Sequence, residues 1–221
     1  MGDESELSFR QANQEGFGVK SEKQLWDKAL HVWTTGSQEL SALRDHVNPQ
    51  TFIECLKAIA GCKGRIVTSG AGTSAAAARK IAHSLSCIER PAFFLSPADA
   101  VHGGLGSVQK GDVAVLISKG GGTREIINLI QPLKAKEVFI IGVTENEESV
   151  LARNADLMLK VKVEREADPF NMLATTSTMA VVAVFDAICI ALMEHTGYTR
   201  EQFAVIHPGG AVGERLGKGG S

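Results

Sequence analysis

The chain has 221 residues, with 23 lysines and arginines against 25 aspartates and glutamates, a formal net charge of −2. That length forms one domain, or one with a small appendage, and buries a sizeable core. The near-balanced charge gives no electrostatic case for nucleic acid or an anionic membrane, and 5% aromatic residues are too few for base-stacking platforms.

Residues 1–18 are polar without periodicity and are expected to form a disordered or loose arm, ahead of a single domain over 19–216 and a flexible tail over 217–221. Residues 20–43 place Leu25, Trp26, Ala29, Leu30, Trp33, Leu40 and Leu43 at helical spacing, with a break expected at Gly36. Asn48-Pro49 reads as an N-cap and first-turn pair for a second helix that runs to about Ile59 and ends near Gly61. A short strand over 65–69 ends in Gly70-Ala71-Gly72-Thr73-Ser74, and a small-residue helix over 75–87 follows. A second strand spans 92–95, and a loop over 96–111 holds His102.

Next comes the most informative stretch. Val113 to Ile117 is an unbroken apolar run, ending at Ser118-Lys119-Gly120-Gly121-Gly122-Thr123. A helical pattern restarts with Ile126, Ile127, Leu129, Ile130 and Leu133. A strand over 138–143, a polar connection over 145–155 with one helical turn, and a last strand over 156–163 complete the alternation. A charged loop over 164–171, a long helix over 175–195 and a shorter one over 199–205 close the pattern.

Strands alternating with helices predict an α/β fold: a doubly wound, five-stranded parallel sheet of order 2-1-3-4-5, with N-terminal helices. The switch point then lies between strands one and three, at the two glycine-rich loops. A helix N-terminus preceded by glycines favours an anion. Gly70, Gly72, Gly120 and Gly121 let backbone approach it, and Thr73, Ser74, Ser118 and Thr123 add hydroxyls. Neither loop has the third glycine and acidic partner of a dinucleotide fingerprint, nor a Walker lysine. A small phosphate monoester fits better than a nucleotide.

His102, Glu125, Glu166 and His207 are read as lying in loops at the same sheet edge. Two imidazoles and two carboxylates suit an aldose–ketose interconversion, which needs a base to move a proton between adjacent carbons and an acid/base to open the sugar ring. No ligand spacing supports a metal site, and the four cysteines, with no CxxC pair, read as buried reduced thiols. With no signal sequence and no apolar run expected to span a bilayer, cytoplasm is the default location.

Four blocks carry a family likeness: P-A-F-F-L-S-P-A-D-A-V-H-G-G-L-G, G-D-V-A-V-L-I-S-K-G-G-G-T-R-E-I, V-E-R-E-A-D-P-F-N-M-L-A-T-T-S-T and H-P-G-G-A-V-G-E-R-L. From Arg65 to about Leu216 the chain resembles the sugar isomerase (SIS) domain, and within it the D-arabinose-5-phosphate isomerases, which often add a pair of CBS modules not contained in this sequence. The resemblance implies that His102, His207, Glu125 and Glu166 line a sugar pocket. It implies that Ser74, Ser118, Thr123 and the 175–178 segment, with Thr176 and Ser177, hold phosphate. It further implies a homotetramer, with a histidine reaching a neighbour's site, and no metal or organic cofactor. Two positions depart from the family pattern. Thr73 stands where a lysine is usual, and Gly120 and Gly122 stand where a serine and a glutamate are usual. These departures bear on the substrate, so a non-catalytic sugar-phosphate-binding regulator is the alternative reading.

Overall fold

The computed structural model describes residues 20–209; the expectations for 1–18 and 217–221 lie outside them. Helix α1, Glu22–His46, opens on a capping box: Ser21 Oγ accepts from Gln24 N–H, and Gln24 Oε1 accepts from Ser21 N–H. It runs unbroken through Gly36, against expectation. A Cβ built on Gly36 would lie 2.9 Å from Met179 Cε, so the glycine admits close packing of a later helix. That contact outweighs a propensity penalty of about 1 kcal/mol. Helix α2, Pro49–Ala60, starts where Asn48-Pro49 predicts, with Asn48 Oδ1 accepting from Thr51 N–H at 3.0 Å. Asn48→Ala is expected to lower the unfolding free energy by about 1 kcal/mol in a urea titration, at unchanged m-value.

Strand β1, Ile66–Gly70, leads into α3, Thr73–Ser86, which begins earlier than expected and takes Thr73 and Ser74 into its first turn. Strand β2, Ala92–Phe94, is followed by a short α4, Pro97–Ala100, and a 3-10 turn, Gly104–Ser107, within the segment expected to be loop. Then come β3, Val113–Ile117, α5, Arg124–Ala135, β4, Phe139–Thr144, and α6, Val150–Asn154. Strand β5, Leu157–Lys160, is shorter than expected; α7, Thr176–Thr196, and α8, Arg200–Ile206, complete the described chain.

All five strands are parallel, in the order β2-β1-β3-β4-β5. Side-chain alternation splits the core between the two faces. Ile66, Val115, Ile117, Ile141 and Val143 pack with residues of α2, α3 and α7, while Val67, Ala114, Leu116 and Ile140 pack with those of α5 and α6. Polar strand residues are satisfied where they are buried: Thr68 Oγ1 donates to Ala78 O and Ser69 Oγ to Leu95 O, both at 2.8 Å. Because β1 pairs directly with β3 and their following helices cover opposite faces, a crevice opens where the two chains diverge.

Helix α7 is long and apolar enough to cross a bilayer by length and composition, which departs from the reading that no such run exists. Its buried face, with Ala180, Val184, Phe185, Ile188 and Leu192, belongs to the core. A core helix passes the same test without a membrane. Helix α1 is the reverse case. Its buried residues are Thr35, Gly36 and Glu39, in the part that meets α7, whereas Leu25, Trp26, Leu30 and Trp33 are 57%, 56%, 42% and 59% exposed. The apolar stripe read from the sequence exists; Leu40 and Leu43 pack against the core, but the described residues leave its N-terminal part uncovered.

Candidate functional site

Both glycine-rich loops leave the sheet side by side, since β1 and β3 pair through Gly70 and Ile117. The first loop needs its glycines for different reasons. A Cβ on Gly70 would meet Ser74 O at 2.6 Å, and Gly72, at φ +58°, caps α3 in a conformation that L side chains rarely adopt. No side chain caps α3; Ala75 N–H donates to Gly72 O at 3.0 Å, which leaves the Thr73 and Ser74 N–H groups without a side-chain acceptor. In the second loop only Gly121 is sterically required. It has φ +67°, and a Cβ there would fall 2.0 Å from Ser149 Oγ, whereas Gly120 and Gly122 have open space. Ser118 and Thr123 close the loop through their hydroxyls, 2.8 Å apart.

Between the loops lies a cavity of about 70 Å³. Its polar lining comes from Thr73 and Ser74 of α3, Lys119, Thr144 at the end of β4, and Ser177 and Thr178 of α7. Thr144 was missed in the sequence. Its hydroxyl donates to Lys119 O at 2.7 Å, so it supports the loop from the neighbouring strand. The only signal for it was a threonine ending an apolar strand at the correct sheet edge.

Glu166 organises the far wall. Its side chain has no solvent exposure, and Oε1 accepts from Lys119 Nζ at 2.9 Å. Oε2 accepts from Thr175 N–H at 2.8 Å, Thr175 Oγ1 at 3.1 Å and Ser177 N–H at 3.2 Å, with Thr176 Oγ1 3.0 Å away. The carboxylate therefore occupies the positive end of α7. Burial pushes its pKa up. Hydrogen bonds from the Ser177 side chain, from Lys119 and from the Thr175 and Ser177 backbones outweigh burial and hold it at about 2. Glu166 reaches this position through its own loop: Glu166 N–H donates to Asn171 Oδ1 at 2.6 Å, and Glu164 N–H donates to Glu39 Oε2 of α1 at 2.8 Å.

The other residues expected in the site are not gathered there. Glu125 is exposed in the first turn of α5, and His102 is exposed just beyond α4; neither lines the cavity. His207 lies at the other end of the molecule, which corrects its placement at the shared edge. Helix α7 has 21 residues, about 30 Å at ~1.5 Å per residue, and carries the chain away from the cavity. The return is blocked by anchors at the far end of α3: Tyr198 Oη donates to Cys87 O at 3.1 Å, and Gln202 Nε2 to Glu89 Oε2 at 2.9 Å. His207 stacks on Phe203 at 3.9 Å between ring centroids, one turn on. Among the described residues no group of three or more His, Cys, Asp or Glu side chains is placed to hold a metal ion.

Comparison with known proteins agrees with this geometry. Residues 59–191, more than half of the chain, match the SIS domain. Arabinose 5-phosphate isomerase KdsD of Pseudomonas aeruginosa is 41% identical over 165 residues, which are 75% of this chain and 51% of that protein. The chain thus spans about half the length of the curated relatives it matches. Among solved structures, a Listeria monocytogenes protein provisionally described as a sugar-phosphate isomerase is 49% identical, with a TM-score of 0.85 over 86% of this chain and all of that one. The Escherichia coli CFT073 protein c3406, in complex with arabinose 5-phosphate, is 33% identical, with a TM-score of 0.81 over 86% and 100% of the two chains. A 2-1-3-4-5 parallel sheet with hydroxyl-lined glycine loops at its switch point, together with a match that spans all five strands, establishes that the chain belongs to the SIS-domain family.

Proposed function

We propose that this chain is a sugar-phosphate aldose–ketose isomerase of the arabinose 5-phosphate isomerase type, acting through an enediol. The observation that carries the reading is the cavity between the two glycine loops. It combines an uncapped helix N-terminus, hydroxyl donors and one ammonium, a set of groups suited to a phosphate monoester. The likeness to KdsD and to the arabinose 5-phosphate complex supports the pentose phosphate as the first substrate to try.

In the proposed reaction a base removes a proton from the carbon next to the carbonyl, and the proton returns to the neighbouring carbon of the enediol. Glu166 is a poor choice for that base. Its donors hold it ionised far below neutral pH, so it accepts a proton weakly. Glu125, exposed and just beyond the Ser118–Thr123 loop, is the better candidate, with Glu166 as the anchor of Lys119. Ring opening falls to His102 and to His207. His207 would serve the site of a neighbouring copy, because in its own chain it sits at the opposite end. A homotetramer is the proposed assembly, and the uncovered Leu25, Trp26, Leu30 and Trp33 stripe of α1 supports association of copies.

Proton exchange tests the reading. In deuterated water with D-arabinose 5-phosphate, the protein is expected to place deuterium on the carbon next to the carbonyl, detected by NMR. Glu125→Gln is expected to slow this at least 100-fold while the sugar phosphate still binds. Binding without exchange across a panel of pentose and hexose phosphates would favour the second reading, a non-catalytic sugar-phosphate-binding regulator. The locked Glu166 and Thr73 in place of the usual lysine are the observations on its side.

A further inference from the structure

The proposed site has one charged residue in its cavity wall among the described residues, and it comes from an unexpected loop. Lys119 lines the cavity together with Thr73 and is the charged side chain of that lining. Both ends of the residue are fixed. Its carbonyl accepts from Thr144 Oγ1 at 2.7 Å and from Glu145 N–H at 2.9 Å, and its ammonium donates to Glu166 Oε1 at 2.9 Å. An ammonium has three donors, and one is used by Glu166. The side chain is 40% exposed, so the remaining donors are open to a ligand. The partner carboxylate lies behind it, fully buried and turned by its other oxygen into the start of α7. The uncapped start of α3 remains for an incoming anion.

We propose that Lys119 is the cation that contacts the substrate phosphate, supplied from the loop after β3 and not from the loop after β1; this rests on the sugar-phosphate reading above. Glu166 acts as a positioning residue, since its buried charge keeps a flexible lysine side chain at the cavity wall. Thr73 and Lys119 line one cavity from two different loops, so a lysine at either place serves the same anion.

The test is affinity, read by calorimetry on the full chain with D-arabinose 5-phosphate and inorganic phosphate as probes, with deuterium exchange followed on the same protein. Lys119→Gln is expected to weaken sugar-phosphate binding about 10- to 100-fold, the range of one charge-assisted hydrogen bond. Thr73→Lys with Lys119→Gln is expected to return affinity to within about fivefold of the parent chain. Lys119→Gln with Glu166→Gln removes the unpaired carboxylate and is expected to bind as weakly as Lys119→Gln alone. Affinity of Lys119→Gln within about threefold of the parent chain overturns the assignment. Recovery in the Glu166 double variant also overturns it, because Lys119 would then serve only to neutralise Glu166. No recovery with Thr73→Lys overturns the equivalence of the two positions. Deuterium exchange with unchanged Lys119→Gln affinity overturns Lys119 alone. Binding that is lost in Lys119→Gln, without exchange by the parent chain, overturns the isomerase reading and supports Lys119. A parent chain that binds neither probe at millimolar concentration overturns both.

Discussion

Glu166→Gln is expected to destabilise the protein by about 3 kcal/mol at neutral pH. The size follows from titration. The folded carboxylate is held at about 2, against an ordinary value of 4.5. Its folded pKa lies below the unfolded value, so the stabilisation is complete above about pH 4.5 and is lost as pH falls towards about 2. The gap corresponds to about 3 kcal/mol at ~1.4 kcal/mol per pK unit. An amide at this position keeps one acceptor oxygen, so its N–H₂ group faces either Lys119 Nζ or the donors at the start of α7 and leaves that side without an acceptor. Urea titrations at pH 7, 4.5 and 3 give the check. The parent chain is expected to lose stability between the last two, and Glu166→Gln is expected to lose less over the same interval. Parallel loss in both proteins would show that other carboxylates carry the acid sensitivity.

Gly121→Ala is expected to lower stability by about 2 kcal/mol and, under the proposed function, to cost sugar-phosphate affinity about tenfold. Two effects act together. The left-handed backbone at φ +67° disfavours any L residue, and the new methyl would sit 2.0 Å from Ser149 Oγ and 2.9 Å from Thr144 Oγ1. Neither neighbour yields easily. Ser149 caps α6 by accepting from Ala152 N–H at 3.1 Å, and Thr144 holds Lys119 O. The loop must therefore shift, and Ser118, Lys119 and Thr123 shift with it. Gly120→Ala and Gly122→Ala are the internal controls. Neither has positive φ, and an added Cβ meets nothing within 4 Å at either position, so both are expected to fold with stability near that of the parent chain. Thermal melts and binding titrations of the three variants separate a loop that needs glycines in general from one that needs Gly121.

The sheet, its order and the place of its crevice were legible because they follow from local patterns. Apolar runs of strand length alternate with helical spacing, and parallel strands need crossovers, so the switch point falls after the first and third strands. Gly70, Gly72 and Gly121 could likewise be marked as turn formers, although the sequence does not distinguish Gly121, which the backbone requires, from Gly120 and Gly122, which it does not.

Contacts between residues distant in the chain were not legible. Gly36 reads as a helix breaker until Met179 of α7 is packed against it. The same stretch that predicts an amphipathic α1 does not say that its Trp26 and Trp33 stay uncovered. The position of His207 depends on the length of α7 and on where Tyr198 and Gln202 take hold, so proximity in a motif list did not become proximity in space. Lys119 and Glu166 are 47 residues apart, and only the folded chain joins them. Periodicity records which side of an element meets the core; it carries no information about which partner arrives there. Strand order and the anion-favouring loops were therefore determined by the sequence alone. The pairing that fixes the lysine, and the separation of His207 from its own cavity, were decided by long-range packing.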